Sequence, residues 1–238
     1  MVIIVHGWPQ PITEKDLIYR YFSQKGYHVC CSYLYKMKGK LSLEKIKREL
    51  AELSKGAVPN VIVGVSIGGL LVPHLALDYP EAKLVFVSSG AHLSPKNWFV
   101  RYGPGLCRVG LVKLARFLNK KLLLKIYKLI NPNKVKRRSV GQSGDELFDN
   151  LEKVLELPDS RIREIADFVS KIDNSDLLTK IKNKTVIFSG DKDSVMPYKQ
   201  GKKMSRLIKN SRFFVLKGKH NDLVDEEMLK NLDGFLED

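Results

Sequence analysis

Hydrophobic residues along the chain fall into short runs that alternate with longer stretches whose apolar positions have helical spacing. The short runs are rich in β-branched or aromatic residues and are apolar at most consecutive positions: Val2–Val5, Val29–Ser32, Val61–Val65, Leu84–Ser88, Thr185–Ser189 and Arg212–Leu216. Continuous apolar runs are typical of strands that are buried on both faces, as in a parallel sheet. The pattern therefore predicts six strands in a mostly parallel sheet.

Helical patterns separate these predicted strands. Ser42 followed by Glu44 is typical of a helix start, because a serine side chain at the N-cap accepts a hydrogen bond from the first turn. The predicted helices are Ile12–Lys25, Ser42–Ser54, Ile67–Tyr79, Lys199–Lys209 and Asp222–Leu236. This alternation predicts an α/β fold with a doubly wound sheet and right-handed crossovers.

The alternation stops between Ala91 and Lys184, where no run predicts a strand. The apolar spacing there predicts only helices, with Pro158 separating the last two: Gly110–Ile130, Ser143–Leu155 and Asp159–Ile172. We therefore predict an α/β core formed by residues 1–90 and 181–238, with a helical cap inserted at 91–180.

Length and composition describe an ordinary globular chain with an unusual charge. The 238 residues are 44% hydrophobic and 28% charged, which is enough for a core and excludes a membrane-embedded protein or a disulfide scaffold. The formal net charge is +15, and 13 Lys and Arg with no acid fall within Lys96–Arg138. This basic segment is either a solvated face or a contact surface for phosphate, anionic lipid or an acidic partner. Its stretch Leu111–Ile130 holds six charges, so it would lie on a membrane rather than cross it.

The cysteines and the N-terminus favour a cytoplasmic protein. Cys30 and Cys31 are adjacent in a predicted strand and should point to opposite faces, while Cys107 stands alone. An odd, low cysteine count is typical of a reducing compartment. The apolar start of the chain is too short for a signal peptide. We find no metal or cofactor motif, so we expect neither group.

The strongest chemical signal is Gly64-Val65-Ser66-Ile67-Gly68, which follows a predicted strand and precedes a helical pattern. This is the G-x-S-x-G sequence in the strand–turn–helix context of a nucleophile elbow. Side chains at positions 64 and 68 would collide where strand and helix pack. Ser66 is therefore a candidate nucleophile, and the Ile67 N–H a candidate oxyanion donor. A glycine-rich turn with an incidental serine has the same sequence, so the motif alone does not decide.

Three other segments each follow a predicted strand. The Trp8 N–H in His6-Gly7-Trp8-Pro9 is a candidate second oxyanion donor, and the Trp8 indole a candidate pocket wall. We expect His6 to orient this loop rather than act as a base. Asp191 and Asp193 in Gly190–Pro197 compete as the acid that orients a histidine, and His220 follows the last strand.

Together the four segments resemble the α/β-hydrolase superfamily over nearly the whole chain. The resemblance implies a triad of Ser66, Asp193 and His220 in the expected chain order, with the acid at the fourth position of its loop, hence Asp193 instead of Asp191. The two strands that usually open this fold are missing, which implies a six-stranded sheet ordered 2-1-3-4-5-6. Val65 stands where many relatives have a polar residue. HG-x-P loops also occur in epoxide hydrolases and haloalkane dehalogenases, but those have an aspartate at the elbow.

The resemblance implies a serine hydrolase, most simply a carboxylesterase or lipase-like enzyme acting on an apolar or lipid ester. Candidate pocket residues are aromatic: Trp8, Trp98, Phe99 and Tyr102. A thioesterase, a carbon–carbon bond hydrolase or a perhydrolase would use the same triad. The alternative from another class is a binding protein whose basic cap contacts a membrane or nucleic acid, although no nucleic-acid motif is present beyond charge. We expect the remaining histidines to be structural or on the surface: His28, His74 and His92.

Overall fold

The computed structural model describes residues 1–7, 12–32, 37, 39–93 and 158–238. Several predictions fall outside these residues. They concern the two cap helices predicted before Pro158, the basic segment Lys96–Arg138, Cys107, and the candidate pocket residues Trp8, Trp98, Phe99 and Tyr102.

Six parallel strands form one sheet. The strands are β1 Val2–Val5, β2 Val29–Cys31, β3 Val61–Val65, β4 Lys83–Val87, β5 Thr185–Gly190 and β6 Ser211–Leu216. Their order is β2-β1-β3-β4-β5-β6, and every neighbouring pair is parallel. This confirms the predicted α/β fold and strand order. The inner strands are almost completely buried because helices cover both faces, which explains their continuous apolar runs.

Helices lie on both faces of the sheet. They are α1 Leu17–Gln24, α2 Leu43–Leu53, α3 Val72–Ala76, α4 Asp159–Ser170, α5 Ser175–Leu178, α6 Tyr198–Leu207 and α7 Glu226–Glu237, with a 3₁₀ helix at Ser66–Leu70. Phe22 of α1 and Phe235 of α7 pack into one apolar cluster. Ile46 of α2 and Met204 of α6 belong to the cluster on the other face, which also includes Ile165 of α4.

The helix predicted over Ile67–Tyr79 is wrong as a single element. The chain instead forms the 3₁₀ helix Ser66–Leu70 and then the short helix α3. Pro73 has no N–H, so it cannot donate to the Gly69 carbonyl as a continuous α-helix would require. The break is therefore the consequence of one proline beside the elbow.

The predicted starts of two other helices are too early, while a third is confirmed. α1 begins at Leu17 instead of Ile12, because the Asp16 carboxylate accepts hydrogen bonds from the Thr13 N–H and hydroxyl and holds a turn there. α7 begins at Glu226 because Asp225 is its N-cap. At α2 the predicted N-cap residue is confirmed, because the Lys45 N–H donates to Ser42 Oγ over 3.2 Å.

Helix α4 is fastened to the loop that precedes α2. The Arg161 guanidinium donates to the main-chain oxygens of Met37 and Gly39, and the Leu41 N–H donates to Glu164. Burial tends to raise the pKa of Glu164, but the hydrogen bonds that its carboxylate accepts from the Leu41 N–H and from the Arg161 guanidinium outweigh it and lower that pKa below its usual value. This helix, which lies within the predicted cap range 91–180, therefore meets the carboxyl side of β2 through charged contacts.

The two described cysteines point to opposite faces, as predicted from their adjacency. Cys30 is part of the cluster on the α2 side, and Cys31 packs on the cluster of α1 and α7. Burial raises the pKa of Cys31 to about 12. Within the described ranges, no helix has both the length and the hydropathy needed to cross a bilayer.

Candidate active site

Ser66 is the first residue after β3 and has a left-handed backbone, with φ of +54°. Few residues other than glycine adopt this conformation, and it is concentrated at functional sites. The turn is tight because a Cβ on Gly68 would lie 2.1 Å from the Val5 carbonyl oxygen, and one on Gly64 would lie 2.5 Å from Gly69 Cα. This confirms the predicted collisions and shows why glycine is required at both positions.

Ser66, His220 and Asp193 form a hydrogen-bonded chain at the carboxyl edge of the sheet. His220 Nε2 lies 2.7 Å from Ser66 Oγ, and His220 Nδ1 lies 2.7 Å from Asp193 Oδ2. An ionised carboxylate can only accept, so Nδ1 carries the proton and Nε2 is left to accept from the serine hydroxyl. The His220 side chain is 15% exposed and the Asp193 side chain 0%. The histidine thus contacts solvent while its acid partner is sealed.

The second carboxylate oxygen of Asp193 is also occupied. The N–H groups of Val195 and Met196 both donate to Asp193 Oδ1 over 2.8 Å. Asp191 is exposed and accepts from the Gly218 N–H over 2.9 Å, so it braces the loop that leads to the histidine. The structure therefore brings Asp193, and not Asp191, to His220.

Ile67 and the HG loop both lie beside Ser66. Ile67 is the second residue of the 3₁₀ helix, where an N–H has no acceptor within the helix and is available to a ligand. A Cβ on Gly7 would lie 2.8 Å from Ser66 Cβ, so the loop passes directly over the serine. Trp8 itself lies outside the described residues. His6 is completely buried, and its Nδ1 is 2.5 Å from the Gly7 oxygen.

Ser88 is a site residue that the sequence analysis missed. Its hydroxyl donates to the main-chain oxygen of His220 over 2.8 Å, and its own φ is +50°. The apolar run predicts Ser88 as the last residue of a strand, but β4 ends at Val87. The available signal was its position: a polar residue follows a buried strand that neighbours β3, so it reaches the same sheet edge.

The other histidines lie away from this chain of hydrogen bonds. Burial lowers the pKa of His74, while His92 lies near Asp173 and Gln200, and His28 near Cys30. Among the described residues, no three metal-ligating side chains lie close enough together to hold an ion.

The class of α/β-hydrolases is defined by a parallel sheet that carries three side chains at its carboxyl edge. These are a serine at an elbow, an acid further along the chain, and a histidine after the acid. The family model described as alpha/beta hydrolase fold matches residues 44–227. The chain therefore belongs to this family and is classed among the alpha/beta hydrolases. No curated protein sequence matches the chain.

Solved structures share the fold at low sequence identity. An esterase from Thermogutta terrifontis has a TM-score of 0.70 and 18% identity, over 99% of this chain and 89% of that chain. A bromoperoxidase from Bacillus anthracis has a TM-score of 0.72 and 20% identity, over 100% and 91%. An enol-lactonase from Burkholderia xenovorans LB400 has a TM-score of 0.71 and 14% identity, over 100% of this chain and 91% of that chain. At such identities the likeness shows the fold alone.

Proposed function

We propose that the protein is a serine hydrolase that cleaves carboxylic esters through an acyl-enzyme. The observation that carries this proposal is the continuous hydrogen-bonded chain from Ser66 Oγ through His220 to Asp193, with both links 2.7 Å long. A nucleophile, a base in contact with it, and an acid that orients the base are the parts that acyl transfer to water requires.

The first half of the reaction forms the acyl-enzyme. His220 Nε2 takes the proton of the Ser66 hydroxyl as Oγ attacks the ester carbonyl carbon, and the carbonyl oxygen becomes an oxyanion. Asp193 stabilises the imidazolium without taking its proton. When the tetrahedral intermediate collapses, the bond to the alcohol oxygen breaks and His220 protonates that oxygen. The alcohol leaves and Ser66 holds the acyl group.

The second half repeats these steps with water as the nucleophile. His220 accepts a proton from water, water attacks the acyl carbon, and the proton returns to Ser66 Oγ as the carboxylic acid leaves. The Ile67 N–H and, by our prediction, the Trp8 N–H donate to the oxyanion in both halves. Each such donor contributes about 3–4 kcal/mol to the stability of the transition state.

The class of substrate follows from the triad and from a predicted apolar pocket. We propose an apolar or lipid-like ester bound against Trp8, Trp98, Phe99 and Tyr102, beneath a cap formed by residues 91–180. Structural neighbours named as an esterase and an enol-lactonase are consistent with an ester substrate. We also propose that the basic segment Lys96–Arg138 contacts anionic membrane. A thioester or a carbon–carbon bond remains the alternative substrate for the same residues.

Labelling with a fluorophosphonate tests the proposal directly. We expect the wild type to be labelled and Ser66→Ala to be unlabelled, because only an activated serine reacts with this probe. A p-nitrophenyl ester series of rising acyl length, run beside acyl thioesters, then separates the substrate classes. A folded wild type that is neither labelled nor active on any of these substrates would refute the serine mechanism.

A further inference from the structure

The second half of the chain carries another stretch with charge of one sign. Residues 194–221 contain no Asp or Glu, and their eight cations are Lys199, Lys202, Lys203, Arg206, Lys209, Arg212, Lys217 and Lys219. This stretch is separate from the basic segment Lys96–Arg138, and its structure is described throughout. It includes the whole of helix α6.

Four of these cations form one exposed surface along α6. Lys199, Lys202 and Arg206 are spaced by three and four residues, which places them on one stripe of the helix. Lys209 follows two residues after the helix ends, and all four side chains are exposed. The helical rise sets Lys199 and Arg206 about 10 Å apart along the axis. We call these four residues the α6 surface.

The opposite side of α6 is occupied by the sheet, so the stripe faces outward. Gly201 and Met204 are buried between α6 and the sheet. Lys203 is not part of the surface, because its amino group donates to Ser175 Oγ over 2.8 Å beside α5. In the part of the chain that the structure describes, the four α6 cations have no acidic partner. Their charge is therefore free to attract an external anion.

We propose that the α6 surface docks the protein on an anionic phospholipid bilayer. The surface is the outer side of a helix that lies flat on a sheet, and a planar array of headgroups is the complementary shape. Positions 199–209 contain no aromatic residue that could stack on the bases of a single-stranded nucleic acid. Tyr198, 37% exposed at the start of the helix, is a residue type that favours membrane interfaces.

Docking through α6 would place the bilayer beside the candidate active site. Lys199 lies six residues after Asp193, and α6 starts at the carboxyl edge of the sheet, where Ser66 and His220 meet. The surface itself does not depend on the serine chemistry. Membrane binding and hydrolysis can therefore be tested separately.

Vesicle binding by the full chain tests the proposal. The test variant is Lys199→Gln/Lys202→Gln/Arg206→Gln/Lys209→Gln. The matched control also removes three lysines and one arginine, but from exposed positions outside the α6 surface: Lys15→Gln/Arg20→Gln/Lys40→Gln/Lys230→Gln. Co-sedimentation is measured in about 0.1 M salt with vesicles of phosphatidylcholine alone and with vesicles containing 30% phosphatidylserine. Circular dichroism verifies that both variants are folded.

We expect the wild type and the control to bind the anionic vesicles and not the neutral ones. Each cation at a membrane surface contributes about a fivefold gain in partition, so the α6 variant, which lacks four cations, should bind about 600-fold more weakly. Ser66→Ala should bind as the wild type does, which separates docking from the proposed hydrolysis. Wild-type-like binding by the folded α6 variant, or equal losses in both variants, would overturn the proposal. The proposal would also be overturned if the wild type bound an oligonucleotide but not the vesicles, and if the α6 variant lost that oligonucleotide binding.

Discussion

Replacing Asp193 by asparagine should abolish most of the activity while leaving the fold intact. The amide can be placed in two ways. If its oxygen keeps the two N–H groups of Val195 and Met196, its NH₂ must face His220 Nδ1. Nδ1 then has to accept, so Nε2 carries the proton and donates to Ser66, and the histidine can no longer act as a base. The reversed amide sets NH₂ against two N–H donors and loses both hydrogen bonds, at about 2–6 kcal/mol in total.

The expected loss is therefore that of a triad held in the wrong tautomer, about 10⁴-fold in kcat. This corresponds to about 5.5 kcal/mol of transition-state stabilisation. The matched control is Asp191→Asn, which keeps an acceptor for the Gly218 N–H and should stay within about threefold of the wild type. Steady-state kinetics on a p-nitrophenyl ester measure both variants. A folded Asp193→Asn enzyme with more than a tenth of the wild-type kcat would refute the assignment of the acid.

Three further changes test the elbow, the histidine support and a surface carboxylate. Gly68→Ala should lower the Tm by about 5–10 °C and cut activity, because the new Cβ lies 2.1 Å from the Val5 oxygen. Ser88→Ala should lower kcat about tenfold at unchanged KM, since its hydroxyl holds the His220 main-chain oxygen. Asp233→Asn should cost about 0.5–1 kcal/mol at pH 7 in urea unfolding. Hydrogen bonds lower the pKa of Asp233, so this difference should disappear as the pH falls below its usual value of 3.8.

Each of these changes has a control that the same assay can include. Gly234→Ala on α7 meets no atom within 4 Å, so it should raise the Tm instead of lowering it. Ser89→Ala removes a buried hydroxyl that has no hydrogen-bond partner among the described residues, and it should leave kcat unchanged. Tyr21→Phe removes one donor to Asp233, so at pH 7 it should lower the stability by less than Asp233→Asn does. Its difference from the wild type should likewise shrink as the pH falls. A tenfold loss of kcat in Ser89→Ala would contradict the role given to Ser88. A gap between Asp233→Asn and the wild type that does not shrink as the pH falls below 3.8 would contradict the linkage.

The strands and the elbow could be predicted because their signals are local. A strand buried on both faces must be apolar at consecutive positions, and the residues of β1 and β3 have this pattern. The glycines at 64 and 68 and the serine between them are set by contacts within a few residues and with the neighbouring strand. The N-cap hydrogen bond of Ser42 is likewise local, because its donor lies in the first turn of the same helix.

Local signals failed where another part of the chain or one special residue decided the outcome. The predicted helix after Ser66 overlooked the missing N–H of Pro73. Ser88 was assigned to a strand because the sequence does not show that its hydroxyl meets the His220 carbonyl, 132 positions later. Asp191 and Asp193 could not be separated by residue type or by propensity. The family resemblance favoured Asp193, and the path of the loop after β5 brings that carboxylate to the histidine.

The sequence by itself determined the residue types of the site, their chain order, and the strand that precedes each of them. Tertiary structure alone decided that they meet, since Ser66 and His220 are 154 positions apart and Asp193 and His220 are 27 apart. The physical reason is the sheet. Parallel strands bring their carboxyl ends to a single edge, and the order of β3, β4, β5 and β6 carries three distant loops to within hydrogen-bond distance.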